Sequence, residues 1–145
     1  MICPDVNVLV YAYRGDLDEH QTFRRWLDAA LDGPEPFGLI DVVLTGFLRV
    51  VTNRRVFANP APTTAALSFV DALRAAPAAR QLQVTEATWR QFSQFAERDS
   101  FIAGNLVPDA WIAALAISSG ARVATADAGF ARFDGLSWFN PAHAT

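Results

Sequence analysis

A chain of 145 residues with 52% apolar and 19% charged residues has ample material for a hydrophobic core and is unlike a disordered segment. Its formal net charge of −3 excludes a global basic field, so a nucleic-acid partner would need a local cationic patch. The lone Cys3 excludes a disulfide framework and fits a reducing compartment.

Residues 2–13 (ICPDVNVLVYAY) read as a short strand ending near Asp5 with a helical turn after it, since Asp5 and Asn7 suit a strand poorly. Asp16 or Asp18 can cap a helix running to about Leu31. Phe23, Trp26, Leu27, Ala30 and Leu31 make its apolar stripe, and Gly33-Pro34 stops it. Phe37–Ile40 has the length of a buried strand. Asp41 stands where an N-cap belongs, ahead of a helix to about Thr52 that buries Val43, Leu44, Phe47, Leu48 and Val51. After a Pro-rich loop over 57–64, Thr63 caps a helix whose inner face carries Ala66, Leu67, Val70 and Leu73 and which Pro77 ends. Leu82 and Val84 predict a third strand, and Thr85 opens a helix bearing Trp89, Phe92 and Ala96. Pro108-Asp109 starts the helix DAWIAALAISSG, closed by Gly120. Arg122–Thr125 reads as a strand, 127–135 as a loop and Leu136–Phe139 as a last strand.

This alternation, without repeat or linker, predicts one α/β domain over 1–145 around a mostly parallel sheet. No apolar run approaches the roughly 20 residues that span a bilayer. Pro4 and Asp5 interrupt the apolar N-terminus, and no basic stretch precedes it. The expectation is a cytoplasmic protein without membrane contact.

The residue types that are missing narrow the chemistry. All twelve basic residues are Arg, which removes a P-loop lysine, a Schiff-base lysine and a lysine general base. Only His20 and His143 occur, without HExxH or a G-x-S-x-G elbow, which disfavours catalytic zinc and a serine triad. Carboxylates are plentiful. Asp5 ends the first strand, Asp41 follows the second, Asp109 starts a helix and Asp127 follows RVAT. In open parallel sheets such places converge at the carboxyl ends of the strands. Converging carboxylates repel, and a hard divalent cation relieves that repulsion while activating water toward a phosphodiester. Plain structural duties compete with this reading. Capping alone accounts for Asp at 41 and 109, and turn chemistry for Asp127 in T-A-D-A-G; Asp5, inside an apolar run, has no cap or turn in view.

Four segments carry a resemblance: DVNVLVYA, GFLRVVTNRRVF, LVPDAWIAALAISSGARVATADAGFARF and the closing GLSWFNP. In their order and spacing they resemble the PIN-domain family, and within it the VapC-like ribonuclease toxins of bacterial toxin–antitoxin pairs, over essentially the whole chain. The resemblance implies a PIN-like α/β/α sandwich and an endoribonuclease using Mg²⁺ or Mn²⁺. Asp5, Asp109 and Asp127 match the family's metal-binding acids, with Asn7 and Thr125 as supporting polar residues. It also implies a homodimer and a cognate antitoxin. One position departs: many members carry a glutamate where this chain has Gly46. Asp41, five residues earlier and about 140° around an ideal helix, is the candidate fourth acid, reaching the metal from the helix start. Arg49, Arg54 and Arg55 cluster at the end of the Asp41 helix and suit phosphate, although cations there also serve the helix dipole. Arg14 and His20 are further rim candidates. The loss of the acid at 46 keeps open a PIN-like binding module with weak or no catalysis. A metal-dependent DNA nuclease is a second alternative.

Overall fold

Strand β1 (Ile2–Pro4) is wholly buried and ends at Asp5, whose extended backbone (φ −85°, ψ 167°) caps the helix that follows at once, α1 (Val6–Tyr13). The β-branched run VNVLVY is helical against its local propensity. Burial of Val8, Leu9, Val10 and Ala12 outweighs the few tenths of a kcal/mol that such residues cost in a helix. The computed structural model describes residues 1–144. The chain continues with α2 (His20–Asp32), β2 (Phe37–Leu39), α3 (Asp41–Val51), α4 (Thr63–Ala75), β3 (Ala79–Gln81), α5 (Glu86–Arg98), α6 (Leu106–Ser118), β4 (Arg122–Ala124) and β5 (Trp138–Phe139), with 3₁₀ turns at Ala128–Arg132 and Pro141–His143.

The five strands form one all-parallel sheet in the order β3-β2-β1-β4-β5. In register, Ile2, Cys3 and Pro4 face Arg122, Val123 and Ala124, and Phe37 to Leu39 face Ala79 to Gln81. The order steps outward from β1 to β2 and β3 on one side, then returns through β4 to β5 on the other. The point where the direction reverses therefore lies between β1 and β4, and the carboxyl ends of those two strands open a crevice.

The core is built from Phe37, Phe47 and Phe130 with Leu9, Leu27, Leu39 and Ile112. Trp26 packs on Phe37 and Phe139, and Tyr13 on Phe47 and Phe69. Helix α6 is apolar nearly all round, with Ala110 and Ala113 to Ala116 buried. Its small side chains let it lie deep against α5 and β4. It ends at Gly120 (φ +67°), whose left-handed conformation lets Ala121 N–H donate to Ala116 O (2.8 Å) and Gly120 N–H to Ile117 O (3.1 Å), a Schellman closure. No helix among the described residues is long and apolar enough to cross a membrane.

Several sequence expectations shift. The residues before α2, α3 and α4 are Glu19, Ile40 and Pro62, none with a side-chain cap, in place of Asp16 or Asp18, Asp41 and Thr63. The third strand is Ala79–Gln81, ahead of Leu82 and Val84, because an edge strand needs ladder partners more than apolar side chains, and this one is largely exposed. Helix α6 begins at Leu106, so Pro108 occupies its first turn, where a missing N–H is tolerated. The 127–135 loop contains a 3₁₀ turn that buries Phe130.

Candidate active site

The crevice at the reversal point is a cleft of about 1020 Å³, with Asp5, Asn7, Asp109, Asp127, Gly46 and Arg49 among its walls. Each acid arrives by a different local device. Asp5 is the N-cap of α1: Val6 N–H donates to its Oδ1 at 2.7 Å, so the expectation that Asp5 has no cap to serve is corrected. Asp109 lies in the first turn of α6, and Asp127 follows β4, where its Oδ1 accepts from Gly129 N–H at 2.7 Å.

Asp5 is 5% exposed and fully engaged. Its Oδ2 accepts from Asn7 Nδ2 (2.7 Å) and from the Thr125 hydroxyl (2.9 Å). Thr125, fully buried, accepts from Asp127 N–H (3.0 Å), while Asn7 Oδ1 accepts from Ala126 N–H (3.0 Å). Asn7 and Thr125 thus tie the end of β1 to the segment after β4 and fix the spacing of Asp5 and Asp127.

Burial raises the Asp5 carboxyl above its ordinary value, its hydrogen bonds to Val6, Thr125 and Asn7 oppose that, and the charge of Asp127 adds to it. Asp109 is pushed up to about 6, first by burial, then by the charges of Asp5 and Asp127, with Arg132 pulling the other way. The three carboxylates therefore share one field with little compensating charge, the condition that a cation relieves. Among the described residues, no three His, Cys, Asp or Glu side chains stand close enough together to hold a metal ion as they are placed. The acids line an open cleft, and such a one-sided oxygen set suits a hard ion that keeps part of its water shell.

The other sequence candidates divide. Arg49 lines the same cleft, whereas Arg54 and Arg55, exposed in the turn after α3, do not. Asp41 is not brought to the other acids: it is exposed at the first position of α3, and its Oδ1 accepts from Gln81 Nε2 at 2.9 Å. Arg14 and His20 are not on the rim. Arg14 is buried and pairs through Nε and Nη2 with both oxygens of Asp16, while His20 Nδ1 donates to Tyr11 O at 3.0 Å. Sequence reasoning missed Tyr11, Val56, Phe57 and Asn105 as cleft residues. An apolar pair, Val56-Phe57, directly after Arg54-Arg55 in a polar loop was the available signal.

The sequence matches the PIN-domain family over residues 2–136. Ribonuclease VapC43 of Mycobacterium tuberculosis is 50% identical over 141 residues, covering 97% of this chain and 95% of the relative. Among solved structures, VapBC2 from Rickettsia felis, bound to a DNA fragment from its promoter, superposes with a TM-score of 0.71 at 19% identity over 97% of this chain and 98% of the matched one. Mycobacterium tuberculosis VapC20, a sarcin–ricin loop cleaving toxin, superposes with a TM-score of 0.66 at 18% identity over 90% and 93%. At such identities the structural likeness is one of fold.

Proposed function

Because the chain belongs to the PIN-domain family, and within it to the VapC ribonucleases, we propose that it is the endoribonuclease toxin of a toxin–antitoxin pair, hydrolysing RNA at the cleft lined by Asp5, Asp109 and Asp127. The observation that carries the site assignment is the convergence of these three acids, from three separate segments, on the cleft where the sheet reverses direction. The antitoxin is the protein partner, and two copies of the toxin form the unit it restrains.

Asp5, Asp109 and Asp127 would hold a divalent cation, Mg²⁺ or Mn²⁺. When bound, such an ion supplies the positive charge that lets neighbouring carboxylates stay ionised, together with Lewis-acid polarisation of water and phosphate. The chain's own residues supply position. Val6 N–H, Asn7 and Thr125 fix both oxygens of Asp5, so the carboxylate loses no orientation when substrate arrives. Arg49, in the same cleft, gives a planar donor set for a phosphate of the RNA. Hydrolysis adds water across the phosphodiester: the P–O bond to the water oxygen forms, the bond to the leaving oxygen breaks, and a proton of the water reaches the leaving oxygen through solvent, so that it departs as a hydroxyl. No nucleophilic side chain is required.

Single-stranded RNA and DNA are to be digested side by side with Mn²⁺ and with chelator. RNA cleavage requires the ion, and Asp5→Asn or Asp109→Asn lowers it by at least about 10²-fold, the scale on which displaced catalytic geometry acts. Asp41→Asn retains activity, and circular dichroism of all three variants stays native. Full RNA cleavage by folded Asp109→Asn removes the site assignment, and equal digestion of DNA removes the RNA preference.

A further inference from the structure

The cleft is larger than its acidic floor needs. At about 1020 Å³ it stands at the upper end of the roughly 300–1,000 Å³ of small-ligand sites. Besides the aspartates, its lining includes the apolar side chains of Tyr11, Leu17, Val50, Val56 and Phe57. Val56 is 54% exposed, an apolar side chain kept at the surface within the cleft.

The two aromatic walls are braced from outside the cleft. The Arg14 guanidinium lies 4.1 Å from the centroid of the Phe57 ring. That guanidinium is fixed by both oxygens of Asp16 (2.8 and 2.7 Å) and by Asn59 O (2.9 Å), which pins the loop carrying Phe57 to the end of α1. Tyr11 packs on Phe23 with ring centroids 5.0 Å apart, and its carbonyl accepts from His20. Ring surfaces held this way bind a flat partner without first having to be ordered.

Arg49 is the one cationic side chain lining the cleft among the described residues. One cation in the same cleft as these fixed aromatic rings and the three aspartates complements a ligand that carries an anionic group and a flat ring together. A nucleotide is such a ligand. We propose that the Tyr11–Phe57 compartment receives an unstacked nucleobase of the RNA next to the scissile phosphate, so that the enzyme selects RNA in which a base is free to leave its stack. The proposal rests on the ribonuclease reading of the same cleft. Stacking of one base on an aromatic side chain is worth about 5- to 150-fold in affinity.

The test scans 2-aminopurine through a short single-stranded oligoribonucleotide. Fluorescence is read on rapid mixing with the protein and Mn²⁺, and the same samples are then resolved for cleavage products. One register is quenched by the wild-type protein. Phe57→Leu, which keeps apolar volume but removes the ring, weakens binding at that register by about tenfold or more and lowers kcat/KM in parallel. Phe57→Tyr restores both. Products without quenching at any register overturn the base site and leave the ribonuclease reading standing. Quenching without products does the reverse. Equal quenching and cleavage by folded Phe57→Leu also overturn it, and leave the compartment to a protein partner.

Discussion

Asp5 serves two masters, and the residues around it show how. A carboxylate at the N-terminus of α1 gains from the helix end, yet this one is buried, and burial pushes it toward the protonated form. Asn7 and Thr125 hold it in place with donors aimed at Oδ2. Thr125 is the more demanding of the two, because its hydroxyl donates to Asp5 and accepts from Asp127 N–H while fully buried. Thr125→Val keeps the shape and deletes both bonds, leaving Asp127 N–H without its acceptor and Asp5 Oδ2 with Asn7 as its one donor. The expected cost is about 1–3 kcal/mol in denaturant unfolding, with a larger fractional loss of RNA cleavage than of stability. Thr125→Ser recovers the hydroxyl and most of the activity. A Thr125→Val protein as active as the wild type would mean that this link does not position the acids.

At the scale of elements, Gly46 explains why the cleft lacks a fourth acid. A Cβ built on Gly46 would come within 2.9 Å of Val6 Cγ2, so α3 approaches α1 more closely than any side chain at 46 permits without Val6 giving way. Val6 is the residue whose N–H binds Asp5. Gly46→Ala gains about 1 kcal/mol of helix propensity but meets overpacking worth about 1–3 kcal/mol. The prediction is a small net loss of thermal stability with a clear loss of cleavage, as Val6 shifts and carries the Asp5 carboxylate with it. Gly46→Glu adds an acid without raising activity, and a gain in cleavage would show the contact to be soft. The same contact marks where the sequence could be read and where it could not. Helix starts and stops were visible where punctuation was local, at Thr85 and Gly120, whereas Asp41, expected as an N-cap, is the first helical residue after Ile40 and its side chain takes Gln81 instead. The helix over Val6–Tyr13 was understated, because a β-branched run resembles a strand until burial on both sides is known. The polar edge strand Ala79–Gln81 has no apolar signature. Asp5 and Asp127 could be placed because they follow strand ends, and Asp109 because Pro108 marks a helix start. The aromatic wall could not, since Phe57 reaches the cleft only through the long-range clamp from Arg14 to Asn59.

For the whole molecule, the three acids couple folding, pH and cation binding. Asp109 ordinarily titrates at 3.8 and is raised to about 6 in the folded protein. Between those values the folded state binds more protons than the unfolded chain, so stability falls as pH rises through that window. Asp5 is shifted in the same direction and adds to the effect. Glu35 opposes it in the acid part of that window: the hydrogen bond from Arg122, then that from the N-terminal amine, lowers its titration, so its stabilisation is lost as pH falls through its ordinary value of 4.5. In chelator, the melting temperature is therefore expected to decline as pH rises from about 5 to about 6, above the range in which Glu35 acts, and Asp109→Asn flattens that decline. Mn²⁺ reverses the trend, since it binds the ionised carboxylates and its hold strengthens as they deprotonate. At a hundredfold excess over Kd the gain is about 2.7 kcal/mol, which for a chain of this size is a rise of roughly 5–10 °C. Thermal melts across pH 4–8, with chelator and with Mn²⁺, read both halves. A decline in chelator without a Mn²⁺ rise at neutral pH would mean that the acids repel one another but hold no ion, and catalysis at this cleft would then lose its metal.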